Sequence, residues 1–282
     1  MALPSSATLA PLAAITHVAP TVVRILGLNP GPFTLNGTNC YLVSSRVLID
    51  TGSGERDFPA LIAPFILPRQ SVPEPLTVIC THNHPDHVGG NHQIAEMCRQ
   101  SGRPVRFMKL PGPDDAQEGI QWQPLKDGDV VDGVRVIATP GHTSDHICLW
   151  YETDKVLFSG DCILGQGTAV FSDLRTYMAS LSKLLEQFPT LSTILPGHGP
   201  TIENGRERIS AYIAHRQQRE EEVLARLPAT VDALAEALYP EIKGSVKDAA
   251  KRGIVMHIKK LEEDGKVELG SDGLHHRKET SS

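Results

Sequence analysis

Nothing in this chain reads as a membrane span, a disulfide framework or a basic coat. The five cysteines, at positions 40, 80, 98, 148 and 162, are odd in number and never stand as a C-x-x-C pair. That excludes a stapled secreted mini-domain and fits a reducing compartment. No apolar run approaches the roughly 20 residues that a transmembrane helix needs. Residues 1–20 hold no Lys, Arg, Asp or Glu, so they lack the basic start of a secretory signal and the arginines of a mitochondrial presequence. The expectation is a protein that is not secreted, with the cytoplasm as the default. A net charge of -6 argues against general adhesion to nucleic acid. The deficit lies before residue 206, because the remainder carries 14 cations and 14 carboxylates. There is no internal repeat, and no low-complexity tract beyond an N-terminal Ala/Pro bias.

What is present is concentrated. Thr81-His82-Asn83-His84-Pro85-Asp86-His87-Val88-Gly89-Gly90 follows the apolar run 76–80, which reads as a buried strand. Strand side chains alternate, so His82 and His84 point the same way and make a two-imidazole claw. Asp86 and His87 follow on the turn set by Pro85 and the two glycines, and can reach a second point nearby. Imidazole and carboxylate are the ligands zinc prefers, with iron or manganese as alternatives. Three further strand-like runs each end in small or ring-constrained residues and then one ligand-type side chain: His142, Asp161 and His198. If those strands are neighbours, their ends gather above one sheet edge.

At 282 residues and 40% hydrophobic, the chain supports one substantial core and a smaller second unit. The division falls at 205/206. Within 1–205, strand-like runs at 21–28, 40–43, 46–50, 76–81, 134–138, 147–151, 155–159 and 192–195 are interleaved with helical patterns. The clearest helix carries Leu174, Tyr177, Met178, Leu181, Leu184, Leu185 and Phe188 at helical spacing, with Ser172 as its N-cap. The Pro-rich stretches 64–75 and 111–124 read as loops. Within 206–282 the order is helix (209–227), a helix capped by Thr230, helix (246–263) and hairpin (266–269 with 274–278), the grammar of a winged helix. Lys247, Lys251, Arg252, Lys259 and Lys260 lie on the third helix, the one that enters a groove in DNA-binding versions.

The His-x-His-x-Asp-His run, the later lone His142, Asp161 and His198 stand in the order of the metallo-β-lactamase superfamily, which this chain resembles over residues 21–200. Asn29-Pro30-Gly31-Pro32, Gly37-Thr38-Asn39-Cys40-Tyr41-Leu42-Val43, Leu48-Ile49-Asp50-Thr51-Gly52 and Phe158-Ser159-Gly160-Asp161 are similar to the β-lactamase-like protein 2 subgroup, whose animal members are endoribonucleases. Asn83 and Cys40 depart from the subgroup's usual Trp and Thr; neither is a metal ligand. The resemblance implies an α/β fold, a four-layer αββα sandwich with a C-terminal winged helix. It also implies two metals per chain, with His82, His84 and His142 on one, Asp86, His87 and His198 on the other, and Asp161 bridging. Such a pair makes hydroxide available near neutral pH, which Asp86 would aim. Asp50 is the natural acceptor for the outer N–H of a ligand histidine, and Cys162 a small apolar filler. Because animal members work in mitochondria, the matrix joins the cytoplasm as an expected compartment.

For substrate contact the sequence offers His215 and Arg216 on the helix leaving the metal domain, where a guanidinium could hold an anionic group, and more weakly Asn39 and Tyr177. The expected activity is metal-dependent cleavage of single-stranded RNA. Thioester or acyl hydrolysis is the alternative, since Thr139-Pro140-Gly141-His142-Thr143 is equally at home in glyoxalase-II-like members and fungal polyketide thioesterases. A binding module with a vestigial site ranks third, because all seven ligand positions are intact.

Overall fold

The computed structural model describes residues 9–67, 74–113 and 115–278. Strands β1 (Ile15–Ala19), β2 (Val22–Leu26), β3 (Asn39–Val43) and β4 (Val47–Ile49) run antiparallel, and β5 (Leu76–Ile79), β6 (Val105–Lys109) and β7 (Trp122–Pro124) continue the sheet in parallel. A second sheet orders β12 (Thr193–Pro196), β11 (Val156–Gly160), β10 (Ile147–Tyr151), β9 (Val134–Ala138) and β8 (Val130–Val131). Its β11 and β12 are parallel and its other pairs antiparallel.

Side-chain alternation makes this a layered sandwich. Val47 and Ile49 of β4 meet Ile147, Leu149 and Phe158 in the core between the sheets, while Leu48 points outward with Phe58, Ile62 and Ile94. Those outer residues belong to α1 (Phe58–Ile66) and α3 (Asn91–Ser101); the short α2 (Pro85–Val88) lies between them in sequence. On the opposite outer face Cys148, Leu157 and Ile194 pack against α4 (Leu174–Gln187) and the first half of α5 (Gly205–Ala225). The result is the αββα order of layers. No helix among the described residues is long and apolar enough to cross a membrane.

Several local expectations change. The N-cap of α4 is Asp173, which accepts from Thr176 N at 2.8 Å, whereas Ser172 Oγ donates to Gly141 O. A carboxylate one residue nearer the helix has the better geometry for its free N–H groups. Pro64 sits inside α1 rather than opening a loop, because Phe58, Ile62 and Ile66 at four-residue spacing bury one face; residues 68–73 of that expected loop lie outside the described residues. The stretch expected as a loop at 111–124 ends in edge strand β7, where a proline is tolerated.

The C-terminal unit comprises α6 (Val231–Leu238), α7 (Gly244–Glu263) and the hairpin β13 (Val267–Leu269) and β14 (His275–Arg277). Thr230 caps α6 by accepting from Ala233 N. Val223 of α5 joins Leu234, Ile254, Ile258 and Leu261 in a separate small core, while Ile209 and Tyr212 belong to the sandwich. One helix therefore serves two cores and ties the winged helix to the sandwich.

Candidate metal centre

Strand direction explains why distant residues meet. β4 and β5 are parallel, and β9, β11 and β12 share one direction in the second sheet, so Asp50, His82, His84, His142, Asp161 and His198 all emerge at carboxyl ends. The sheets are tied there by Asn39 N donating to Gly197 O at 2.7 Å and Ile147 N to Thr81 O at 2.9 Å.

Two donor sets result, His82, His84, His142 with Asp161, and Asp86, His87 with His198; within each, the ligand atoms lie within 4.8 Å of one another. In the first, His84 Nδ1 stands 3.0 Å from His82 Nε2 and 3.1 Å from His142 Nε2. In the second, His87 and His198 Nε2 are 3.3 Å apart, and Asp86 Oδ2 is 3.1 Å from His198. Ligands about 2.0–2.1 Å from a tetrahedral zinc lie roughly 3.3 Å from one another, so the spacing fits. Asp161 turns Oδ2 to His142 at 3.6 Å and Oδ1 to His198 at 3.3 Å and His87 at 3.4 Å. One carboxylate thus offers an oxygen to each set, and among the described residues the buried Oδ1 accepts no hydrogen bond. The residues present fit a metal pair.

The outer nitrogens are also fixed. His87 Nδ1 donates to Asp50 Oδ2 at 2.8 Å, His142 Nδ1 to Val170 O at 2.8 Å, and His198 Nδ1 faces Gly37 O at 3.3 Å. Asp50 also accepts from Thr81 N and from Thr81 Oγ1, which leaves that oxygen to accept from His82 Nδ1 at 3.0 Å. Each contact aims the inner nitrogen at the donor cluster. Burial lowers the pKa of His82, His84 (to about 4) and His142, so these rings present lone pairs. Burial pushes against charge on His198 too, but Asp161 and Asp86 win and raise it to about 9. Burial likewise opposes ionisation of Asp161, yet His198 and His87 hold it well below the usual carboxylate range.

Two glycines are required by close approach. A Cβ on Gly141, at φ +130°, would enter the Tyr177 backbone, and one on Gly197 would strike Asp161 Oδ1.

Asn39 and Tyr177 are corrected. Both are buried and neither lines the cavity above the metal site: Asn39 Nδ2 donates to Pro196 O and Gly199 O, and Tyr177 OH to Cys162 O. They shape the loops that carry His198 and Asp161. His146, not singled out from sequence, is buried, accepts from Asp161 N at 3.1 Å and contacts Thr139 Oγ1 at 2.9 Å. Its position four residues after His142 was the available signal. All five cysteines are free and buried, Cys162 within the core beside α4.

The cavity has a volume of about 880 Å³ and extends from His84, Asp86 and Asp161 to the winged helix, with His215 and Arg216 on its wall. The expected basic face of α7 is largely neutralised. Lys251, Lys259 and Lys260 pair with Asp232, Asp173 and Glu220 at 2.7, 3.5 and 3.0 Å, and Lys247 with Glu236.

The model of the metallo-beta-lactamase superfamily matches residues 33–198, and that of the beta-lactamase associated winged helix domain residues 230–274. A Caenorhabditis elegans protein described as a beta-lactamase-like protein 2 homolog is 39% identical over 90% of each chain. An atrochrysone carboxyl ACP thioesterase of Cryptosporiopsis sp. is 34% identical over 93% of this chain and 85% of its own. The fold is shared with a beta-lactamase domain protein of Burkholderia ambifaria (TM-score 0.79, 23% identity, 97% and 96% covered).

Proposed function

The chain belongs to the metallo-beta-lactamase superfamily, and from that premise we propose that it is a metal-dependent endonuclease of single-stranded RNA. The observation that carries this reading is the pair of adjacent donor sets on the floor of a cavity whose wall includes the exposed aromatic ring of Phe33. Bases stack on aromatic faces with little regard to sequence, at roughly 1–3 kcal/mol each, so a single strand threaded past that ring brings its phosphodiester to the floor.

When bound, a divalent pair supplies an ionised water near neutral pH and polarises the scissile oxygen. His82, His84, His142 and Asp161 would hold one ion; Asp86, His87, His198 and Asp161 the other. Asp86 Oδ2 faces both His87 and His198 and is partly open to the cavity, so it would orient the attacking oxygen by accepting a hydrogen bond from it. Asp50 and Thr81 keep His87 and His82 in the tautomers whose inner nitrogens face the donor cluster. Asn39 holds the His198 loop, and His146 the backbone of Asp161.

A second reading, hydrolysis of an acyl thioester, is favoured by one feature: the exposed apolar side chains Phe33, Val170 and Val255 ring the same cavity, and a relative over nearly the whole chain is described as an acyl-carrier thioesterase. Zinc-loaded protein incubated with a labelled single-stranded RNA, beside Asp86→Ala, separates the two. Internal cleavage by the wild type alone supports the nuclease. An intact RNA together with hydrolysis of a carrier-bound thioester gives the second reading priority.

A further inference from the structure

On the wall away from the metals, α5 and α7 place buried nitrogen atoms around one part of the cavity. Arg216, Arg219 and His257 are 5%, 9% and 2% exposed, and with His215 all four line it. Among the described residues, the Nε–H groups of Arg216 and Arg219 meet no acceptor, and Nδ1 of His215 and of His257 has no hydrogen-bond partner. Buried donors left in this way are uncommon, because each has lost its hydration without gaining a partner. The rest of each guanidinium is anchored. Arg216 donates to Ala169 O and lies 4.7 Å over the Phe171 ring. Arg219 pairs with Glu222 and lies 4.4 Å over Tyr239. Nearby Glu220 is engaged by Lys260. Among the described residues the carboxylates lining the cavity are Asp86 and Asp161, both in the donor sets, while exposed Arg252 adds a third guanidinium.

We propose that this wall is a phosphate-binding subsite separate from the metals, in which Arg216, Arg219, His215 and His257 hold a phosphate of the substrate other than the group being cleaved. The proposal rests on reading the cavity as the substrate site. Phosphate is the matching chemistry because it offers several acceptor oxygens to planar guanidinium donors. Burial among Arg216 and Arg219 pushes His257 down to about 2 and His215 to about 4. Both rings are therefore neutral at pH 7, and each can donate one N–H without adding charge. Two sources present such a phosphate: the next linkage of an RNA strand, and the phosphopantetheine arm that carries an acyl thioester. The subsite thus measures the distance from a phosphate to the reacting bond in either substrate.

The test is titration of inorganic phosphate into zinc-loaded, full-length protein, followed by the imidazole NMR signals of His215 and His257. Saturable movement of both is expected, with roughly tenfold weaker binding in Arg219→Gln and partial recovery in Arg219→Lys. If Arg219→Gln fails to fold, the exposed Arg252→Gln should weaken binding by roughly threefold. Movement confined to the metal-ligand histidines, or affinity unchanged by the folded variant, overturns the subsite. A dinucleotide and phosphopantetheine titrated against the same signals identify the source by the tighter fit. Failure to cleave RNA with His257 still responding counts against the nuclease reading alone; cleavage with a silent His257 counts against the subsite alone.

Discussion

The floor of the cavity gathers five imidazoles and two carboxylates at strand ends and on the short α2, and nearly every outer nitrogen has an acceptor in the protein. The wall opposite gathers two guanidiniums and two imidazoles where one helix packs on another, and four of their nitrogens have none. Both are buried clusters of ionisable groups, but the first is built to bind cations and the second anions. Together they give a cavity that complements a substrate with negative charge at one end and a reacting bond at the other. A metal site needs its anionic ligands beside it, whereas an anion site works only if carboxylates are kept out.

The contrast can be broken most severely at Asp161. Asp161→Ala should lower metal content from near two per chain and cut hydrolysis beyond the roughly 100-fold that loss of an outer partner costs; full metal content by elemental analysis would remove Asp161 from the bridge. Asp50→Ala comes next, with roughly 10–100-fold lower metal affinity or activity, since His87 loses the acceptor that orients it. Retained affinity in a chelator competition would show that burial alone orients the ring.

On the wall, the buried neutral His257 should make the winged helix acid-sensitive. Its folded pKa lies far below the usual 6.5, so the unfolded chain binds the extra proton. The stability is complete above pH 6.5 and falls by about 1.4 kcal/mol per pH unit as pH drops toward the folded value. Melting curves at pH 7 and pH 5 should converge in His257→Gln; equal slopes in both proteins would deny the effect. The smallest change is expected for Lys247→Gln with Lys251→Gln. These surface pairs contribute little, because solvent screens them, and RNA cleavage should stay within roughly twofold if the strand follows the cavity rather than the α7 surface. A large rise in KM would restore α7 as a recognition helix.

Much of the floor is readable along the chain. His82, His84, Asp86 and His87 stand within six positions, and strand alternation alone aligns the first two. Asp50 is suggested by its place after an apolar strand. Asn39 and Tyr177 show the limit: their residue types suit a pocket, yet both turn inward to hold loop carbonyls. His146 is marked along the chain only by standing four residues after His142, a spacing too common to single out a supporting histidine.

Short-range pattern along the chain specifies the layered α/β class, the positions of the candidate ligands and the change to helix and hairpin after residue 205, because alternation, ligand type and turn chemistry act over a few residues. Long-range packing sets the rest: Asp161 faces both donor sets, most of the α7 cations are paired, and Arg216, Arg219 and His257 line one cavity. Those contacts arise where sheets face each other and where α5 crosses α7. Packing between elements far apart in sequence sets that geometry, and no local periodicity encodes which side chains it brings together.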